Sequence, residues 1–186
     1  NTFSGDQAGY SNSAGIDNSF FGRSAGYSNI NGSANAFFSG SAGYSNISGS
    51  YNSFFGGATG YSNTTGFDNS FFGLNAGYSN ISGNSNSFFG RSAGYNTTGD
   101  LNSFFGISAG SSNTTGFNNT TLGSFANVST GALNNATAIG YRSYVSLDNS
   151  LVLGSINGIN GATSSSRIGI GTSAPSVPLD VRSTAG

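Results

Sequence analysis

Residues 69–83 read NSFFGLNAGYSNISG, and close variants of this stretch recur along most of the chain. Each unit opens with Asn-x-Phe-Phe-Gly and continues through Ala-Gly-Tyr-Ser-Asn to a further Gly. The opening residues are Asn1, Asn18, Asn35, Asn52, Asn69, Asn86, Asn102 and Asn119, at steps of seventeen with one step of sixteen. A period this regular indicates units that stack on copies of themselves. We therefore expect a linear array of coils and not a globule.

The composition excludes several classes of function. Only 6% of the 186 residues are charged, against about 25% in a typical soluble domain. The chain has no His, Cys, Lys or Glu, so it lacks a His base, a Cys or Lys nucleophile and a His/Cys metal set. We predict that it is not an enzyme and needs no cofactor or metal. The net charge of -1 predicts no nucleic-acid partner, and no apolar run is long enough to span a membrane.

The local signals favour short strands separated by tight turns. Asn-x-Phe-Phe is a strand signal bounded by Gly, and Gly-Tyr-Ser-Asn is a weaker one. A helix is disfavoured, because Gly recurs every five or six residues. Two strands and two turns add up to seventeen residues, which predicts an all-β parallel β-roll (a β-solenoid) of about ten coils. Gly-rich chains with Phe-Gly pairs also resemble the disordered repeats of nuclear-pore proteins, but disorder does not require a fixed spacing.

The paired phenylalanines predict both a core and an interface. Neighbouring side chains in a strand point to opposite faces, so the two rings of a pair cannot share one core. We expect one ring inside its own coil and the other in an outer apolar stripe, covered by identical chains. The alternative is that both rings form local core on a twisted strand. The residues are Phe20, Phe21, Phe37, Phe38, Phe54, Phe55, Phe71, Phe72, Phe88, Phe89, Phe104 and Phe105.

Two columns of Asn follow from the same period. The opening Asn of each unit is predicted to hydrogen-bond to its copies above and below. Members of the second column lie in Asn-x-Ser/Thr, the acceptor sequence for N-glycans in a secreted protein. The alternative is that Asn and Thr are simply good turn residues. The candidate glycosylation residues are Asn46, Asn63, Asn80, Asn96 and Asn113.

The pattern changes toward the end of the chain. Residues 136–154 read ATAIGYRSYVSLDNSLVLG, in which ATAIG and SLVLG match at a step of fourteen. This segment resembles the head repeat of trimeric autotransporter adhesins. The seventeen-residue units resemble related repeats of bacterial surface fibres and phage tail fibres. Residues 167–181, RIGIGTSAPSVPLDV, resemble the connector that precedes a coiled coil or chaperone domain in such fibres.

The repeat pattern divides the chain into three regions, and the resemblance implies a function. We expect seventeen-residue coils over 1–134, fourteen-residue coils over 135–160, and a connector or a strand exchanged between chains over 161–186. It implies a homotrimer and a structural, adhesive role in an extracellular fibre on a cell surface, with a glycan or a host or matrix receptor as partner. A virion tail-fibre shaft that recognises a host surface is the alternative.

Overall fold

A computed structural model describes residues 1–129 and 131–182 as a parallel β-solenoid. No helix occurs among these residues, and hence none that would be long and apolar enough to cross a membrane. The strands in chain order are β1 (Thr2–Ser4), β2 (Ser19–Phe21), β3 (Ala36–Phe38), β4 (Ser53–Phe55), β5 (Ser70–Phe72), β6 (Ser87–Phe89), β7 (Ser103–Phe105), β8 (Thr120–Leu122), β9 (Asn127–Val128), β10 (Thr137–Ile139), β11 (Tyr144–Val145), β12 (Leu151–Leu153), β13 (Ile168–Ile170) and β14 (Leu179–Val181).

One ten-stranded parallel sheet runs along the solenoid, in the order β1-β2-β3-β4-β5-β6-β7-β8-β10-β12. Each strand pairs with the equivalent residues of the next coil, so that Phe54 lies opposite Phe71 and Phe71 opposite Phe88. The chain therefore rises one strand spacing per unit. The predicted all-β solenoid of repeated coils is confirmed, with about nine turns and mostly seventeen residues in each.

The predicted second strand of the seventeen-residue coils is wrong. In the coil that begins at Asn69, residues 74–79 form turns. Asn75 and Gly77 have φ values of 57° and 58°, a left-handed conformation that no strand contains. The turns nevertheless stack, because the N–H of Gly77 donates to the carbonyl of Ala93 in the next coil at 2.9 Å. Stacking thus depends on equivalent backbone positions and does not require extended strands.

A column of phenylalanine rings fills the interior. All are fully buried, and neighbouring centroids are 4.7–5.0 Å apart with nearly parallel planes. These inner rings are Phe20, Phe37, Phe54, Phe71, Phe88 and Phe104. Buried alanines such as Ala76 and Ala93 pack against them. The interior of each coil is therefore about one aromatic ring wide.

Each inner ring lies directly on a glycine of its own coil. A Cβ built on Gly77 would lie 2.3 Å from the ring of Phe71, far inside normal contact. The same holds for the equivalent glycines, from Gly9 to Gly110. The ring and the glycine are thus one packing unit, which explains why the two recur together in the sequence.

In the final coils the large interior side chains come from the side of the coil that faces the main sheet, and not from the main sheet itself. Thr121 and Ala138 replace the inner Phe, and Val128 and Val145 point inward to form a second small core. Here β9 and β11 pair with each other, so a second strand does exist in these coils. Asn127 and Tyr144, which lie in these strands, take the position that Gly110 has in the preceding coil.

Substitution of Gly77 by Ala tests the packing unit. We expect a loss of about 2–4 kcal/mol in the free energy of unfolding, from left-handed backbone strain and overlap with the Phe71 ring. Urea denaturation measures it. Adding Phe71→Leu to Gly77→Ala should cost less than the sum of the two single changes, because the smaller side chain leaves room for the new methyl group. Additive losses would contradict the proposed contact.

The opening Asn residues form the predicted hydrogen-bonded ladder. Asn69 is fully buried, and its amide donates to the carbonyl of Gly83 at 2.8 Å and to Asn52 Oδ1 at 3.1 Å. Its own Oδ1 accepts from the backbone N–H of Asn86 at 3.0 Å. The ladder therefore ties each coil to both neighbours and satisfies buried polar groups without water.

The second Asn column forms another buried ladder, which is interrupted at the sixteen-residue coil. Asn63 donates to Asn46 Oδ1 at 2.8 Å. One coil later, Asn80 Oδ1 accepts from the N–H of Gly83 at 2.7 Å, and Asn63 Oδ1 is left without a partner. The sixteen-residue coil places Thr97, and not Asn96, in the buried column. The prediction that Asn96 continues this column is therefore wrong, because the missing residue shifts the register by one.

Insertion of a serine between Tyr95 and Asn96 should repair the ladder. It restores the seventeen-residue spacing and moves the Asn96 side chain into the buried column between Asn80 and Asn113. The relocated amide can donate to Asn80 Oδ1, as Asn63 donates to Asn46 Oδ1, which lets the Asn80 amide turn and donate to Asn63 Oδ1. We expect a gain of about 1 kcal/mol in unfolding free energy, because the buried Asn63 acceptor regains its donor. The matched control inserts a serine after Tyr78, in a coil of normal length, and should destabilise. Equal effects of the two insertions in urea denaturation would refute this explanation.

The segment after β12 leaves the main sheet. Arg142 lies over the ring of Phe125 and donates to the carbonyl of Asn160 at 3.0 Å, which holds the 155–166 segment against the last coil. Beyond it, β13 and β14 form a separate parallel pair.

Near the end of the described chain, hydrogen bonds from Arg182 and Ser176 lower the pKa of Asp180 to about 2. Of the predicted connector, residues 183–186 lie outside the described residues.

Candidate interaction surfaces

Within residues 1–129 and 131–182 the molecule offers surfaces and not cavities. No pocket is found there, and no three His, Cys, Asp or Glu side chains are grouped as metal ligands would be. Two columns of aromatic side chains are the most regular features of the outside of the solenoid.

The second ring of each Phe pair lies on the outer face of the sheet. Phe71 is fully buried while Phe72 is half-buried on the opposite face, as strand alternation requires. Phe21 is 37% exposed, and outer rings in consecutive coils stack at 4.7–5.0 Å. The outer rings are Phe21, Phe38, Phe55, Phe72, Phe89 and Phe105.

The outer column continues beyond the last Phe pair. The register places Leu122, Ile139 and Leu153 in line with the outer rings. The inner position meanwhile changes from Phe to Thr121 and Ala138. We call the nine residues from Phe21 to Leu153 in this column the outer stripe. The outer column predicted from the sequence ended at Phe105. In every unit except that of Phe38, the outer residue directly precedes a glycine, as Ile139 precedes Gly140, and this position was the signal that could have extended the prediction.

The outer stripe is a large continuous apolar surface. An aromatic side chain has about 200 Å² of surface, of which roughly a third is exposed here, so the six rings alone offer on the order of 400 Å², and three aliphatic side chains add to it. A standard protein interface buries about 800 Å² on each partner. The largest apolar patch on a typical monomeric protein covers about 300–600 Å² and is often functional, which makes the outer stripe a candidate interaction surface.

A column of tyrosines lies on the turn side of the coils. Neighbouring rings are parallel, with centroids 5.0–5.2 Å apart. We call this column the Tyr ladder: Tyr10, Tyr27, Tyr44, Tyr61, Tyr78 and Tyr95. Because each internal ring covers the faces of its neighbours, the ladder presents ring edges and hydroxyl groups. Sugars therefore cannot stack on the internal rings.

The candidate glycosylation residues differ in accessibility. Asn46, Asn63, Asn80 and Asn113 are 0% exposed and belong to the buried second ladder. In the folded coil each of those four amides donates to the carbonyl of the glycine three residues further on. Asn96 is exposed, because the one-residue shift moves it to the surface.

Fold and surfaces define a class: a tandem-repeat parallel β-solenoid with an inner and an outer aromatic column. Comparison with protein-family models, with curated proteins and with solved structures found no match to this chain. Its function must therefore be argued from its own surfaces.

Proposed function

We propose that this chain is a structural, non-enzymatic section of an extracellular fibre, formed by three identical chains and used for attachment to a surface. The outer stripe carries the proposal. It stays large and apolar through nine consecutive coils, even where the inner position becomes Thr121 or Ala138. A side chain needed only to fill its own coil would be free to change with the core.

Identical chains are the simplest cover for the outer stripe. In-register copies bring equal residues to the same height, so that rings meet rings along the whole length. The stripe is one side chain wide, and three copies around an axis let each ring contact both neighbours. Further support comes from the low charge, since few charged groups must lose water at the contact.

The assembly test replaces three outer rings with Phe55→Ser, Phe72→Ser and Phe89→Ser together. We expect the unsubstituted chain to have the mass of a trimer by light scattering, and the triple variant to have that of a monomer. Circular dichroism should change little, because the inner rings are untouched. A monomeric mass for the unsubstituted chain would overturn the proposal.

The matched control replaces exposed phenylalanines that lie off the stripe. Phe67 and Phe117 are each 46% exposed, more than the outer rings are. The double variant Phe67→Ser and Phe117→Ser should keep the trimeric mass. Dissociation of this control would show that general loss of apolar surface, and not the stripe, governs assembly.

The location of the fibre is tested in a separate experiment. Antibodies raised against the chain and imaged by electron microscopy on source cells should label projections from the cell surface. Labelling of virion tails in place of cells would favour the alternative, a tail-fibre shaft. Intracellular labelling would contradict both.

A further inference from the structure

The Tyr ladder has a chemistry that the outer stripe lacks. Its rings project edges, which carry the partial positive charge of the aromatic quadrupole, together with phenolic hydroxyl groups. Among the described residues, none of the six hydroxyls hydrogen-bonds to another protein group, and none is a buried unsatisfied atom. Six donors and acceptors thus face solvent in one straight row.

The row is regular and nearly free of charge. Ring centroids repeat every 5.0–5.2 Å over six coils. The half-buried serines that follow the tyrosines, such as Ser28 and Ser45, run beside it at the same period. Such an array fits a linear neutral ligand with many oxygens and a matching repeat.

We infer that the Tyr ladder binds an extended, uncharged β-1,4-linked glycan chain that lies parallel to the solenoid axis. In such a polymer each sugar advances the chain by close to one step of the ladder. Successive sugars of such a chain are turned over relative to each other, so every second hydroxyl meets the same group of the polymer and the hydroxyls between them meet the opposite side of the alternate sugars. This inference rests on the proposed attachment function and names the ligand class of that surface.

The geometry selects this class over other carbohydrates. Stacking on ring faces is blocked, so a single terminal sugar gains little from the internal rings. Helical α-linked glucans do not present equivalent oxygens along a straight line. Each contact is weak in water, but a fixed spacing lets the contacts of one polymer act together.

The test measures sedimentation of the protein with insoluble cellulose and with chitin, two polymers of this linkage, and with insoluble starch as the α-linked comparison. The ladder variant carries Tyr27→Phe, Tyr44→Phe, Tyr61→Phe and Tyr78→Phe, which keeps the stacked rings and removes only oxygen atoms. The control carries Tyr51→Phe and Tyr141→Phe, exposed tyrosines off the ladder.

We expect binding to cellulose, chitin or both, absence of binding to starch, and an affinity about tenfold lower for the ladder variant. The control should bind like the unsubstituted chain. No binding by the unsubstituted chain, equal binding to starch, or equal losses in the two variants would overturn the inference. Light scattering on the same samples separates this from the assembly proposal: a trimer that binds no glycan refutes only the glycan site, and a glycan-binding monomer refutes only the trimer.

Discussion

Replacement of Asn69 by Asp should cost about 3–5 kcal/mol at neutral pH, because a buried charge without a compensating partner is among the most destabilising changes. Asn69 is 0% exposed and donates to Gly83 and Asn52. A carboxylate has no N–H, so one of its oxygens would face the carbonyl of Gly83 at about hydrogen-bond distance. Urea denaturation monitored by circular dichroism measures the loss.

The loss should depend on pH in one direction. Burial raises the pKa of the introduced carboxyl above its unfolded value of about 3.9, so the folded chain retains a proton that the unfolded chain releases. The deficit is therefore smallest below that value, where the protonated acid donates to Gly83, and it grows as the pH rises. The control Asn96→Asp, at an exposed amide, should show little deficit at any pH. A pH-independent loss for Asn69→Asp would contradict the buried-charge explanation.

Truncation of Phe71 to Ala should cost about 3–5 kcal/mol of unfolding free energy. The ring is fully buried and stacks on Phe54 at 4.9 Å and on Phe88 at 4.7 Å. Its removal leaves a cavity that the flanking coils cannot close, because the backbone ladders fix their spacing. Chemical denaturation of dilute protein, where association is minimal, measures this effect.

The adjacent ring supplies the matched comparison. Phe72→Ala removes the same atoms from the outer stripe, and we expect it to cost less than about 1.5 kcal/mol in the dilute chain, since part of that surface is already in water. Equal or larger destabilisation by Phe72→Ala would mean that the outer ring belongs to the core of a single chain. In that case the proposed role of the stripe would fail.

Much of the fold was predictable because the repeat makes many independent copies of one signal. The seventeen-residue step determined that Phe54, Phe71 and Phe88 would align, and strand alternation placed their neighbours on the other face. The opening Asn ladder followed from the same argument. These predictions needed only spacing and side-chain direction, which are local properties.

The second half of the coil was not predictable in the same way. Gly-Tyr-Ser-Asn has the composition of a strand or of a turn, and the left-handed backbone at Asn75 appears only when the coil closes. The exchange of roles between Asn96 and Thr97 depends on where the short coil loses its residue. Local sequence does not state which of two adjacent polar residues points inward.

The sequence by itself thus determined the period, the parallel stacking and the pairing of an inner with an outer aromatic column, since all three follow from residue spacing. Only the tertiary structure decided that the inner ring lies on a glycine of its own coil, that turns replace the second strand, and that the tyrosines cover one another's faces. The physical reason is distance. The two halves of a coil meet across an interior about one aromatic ring wide. How the chain closes around that interior decides which residues touch, and the spacing along the sequence does not encode this closure.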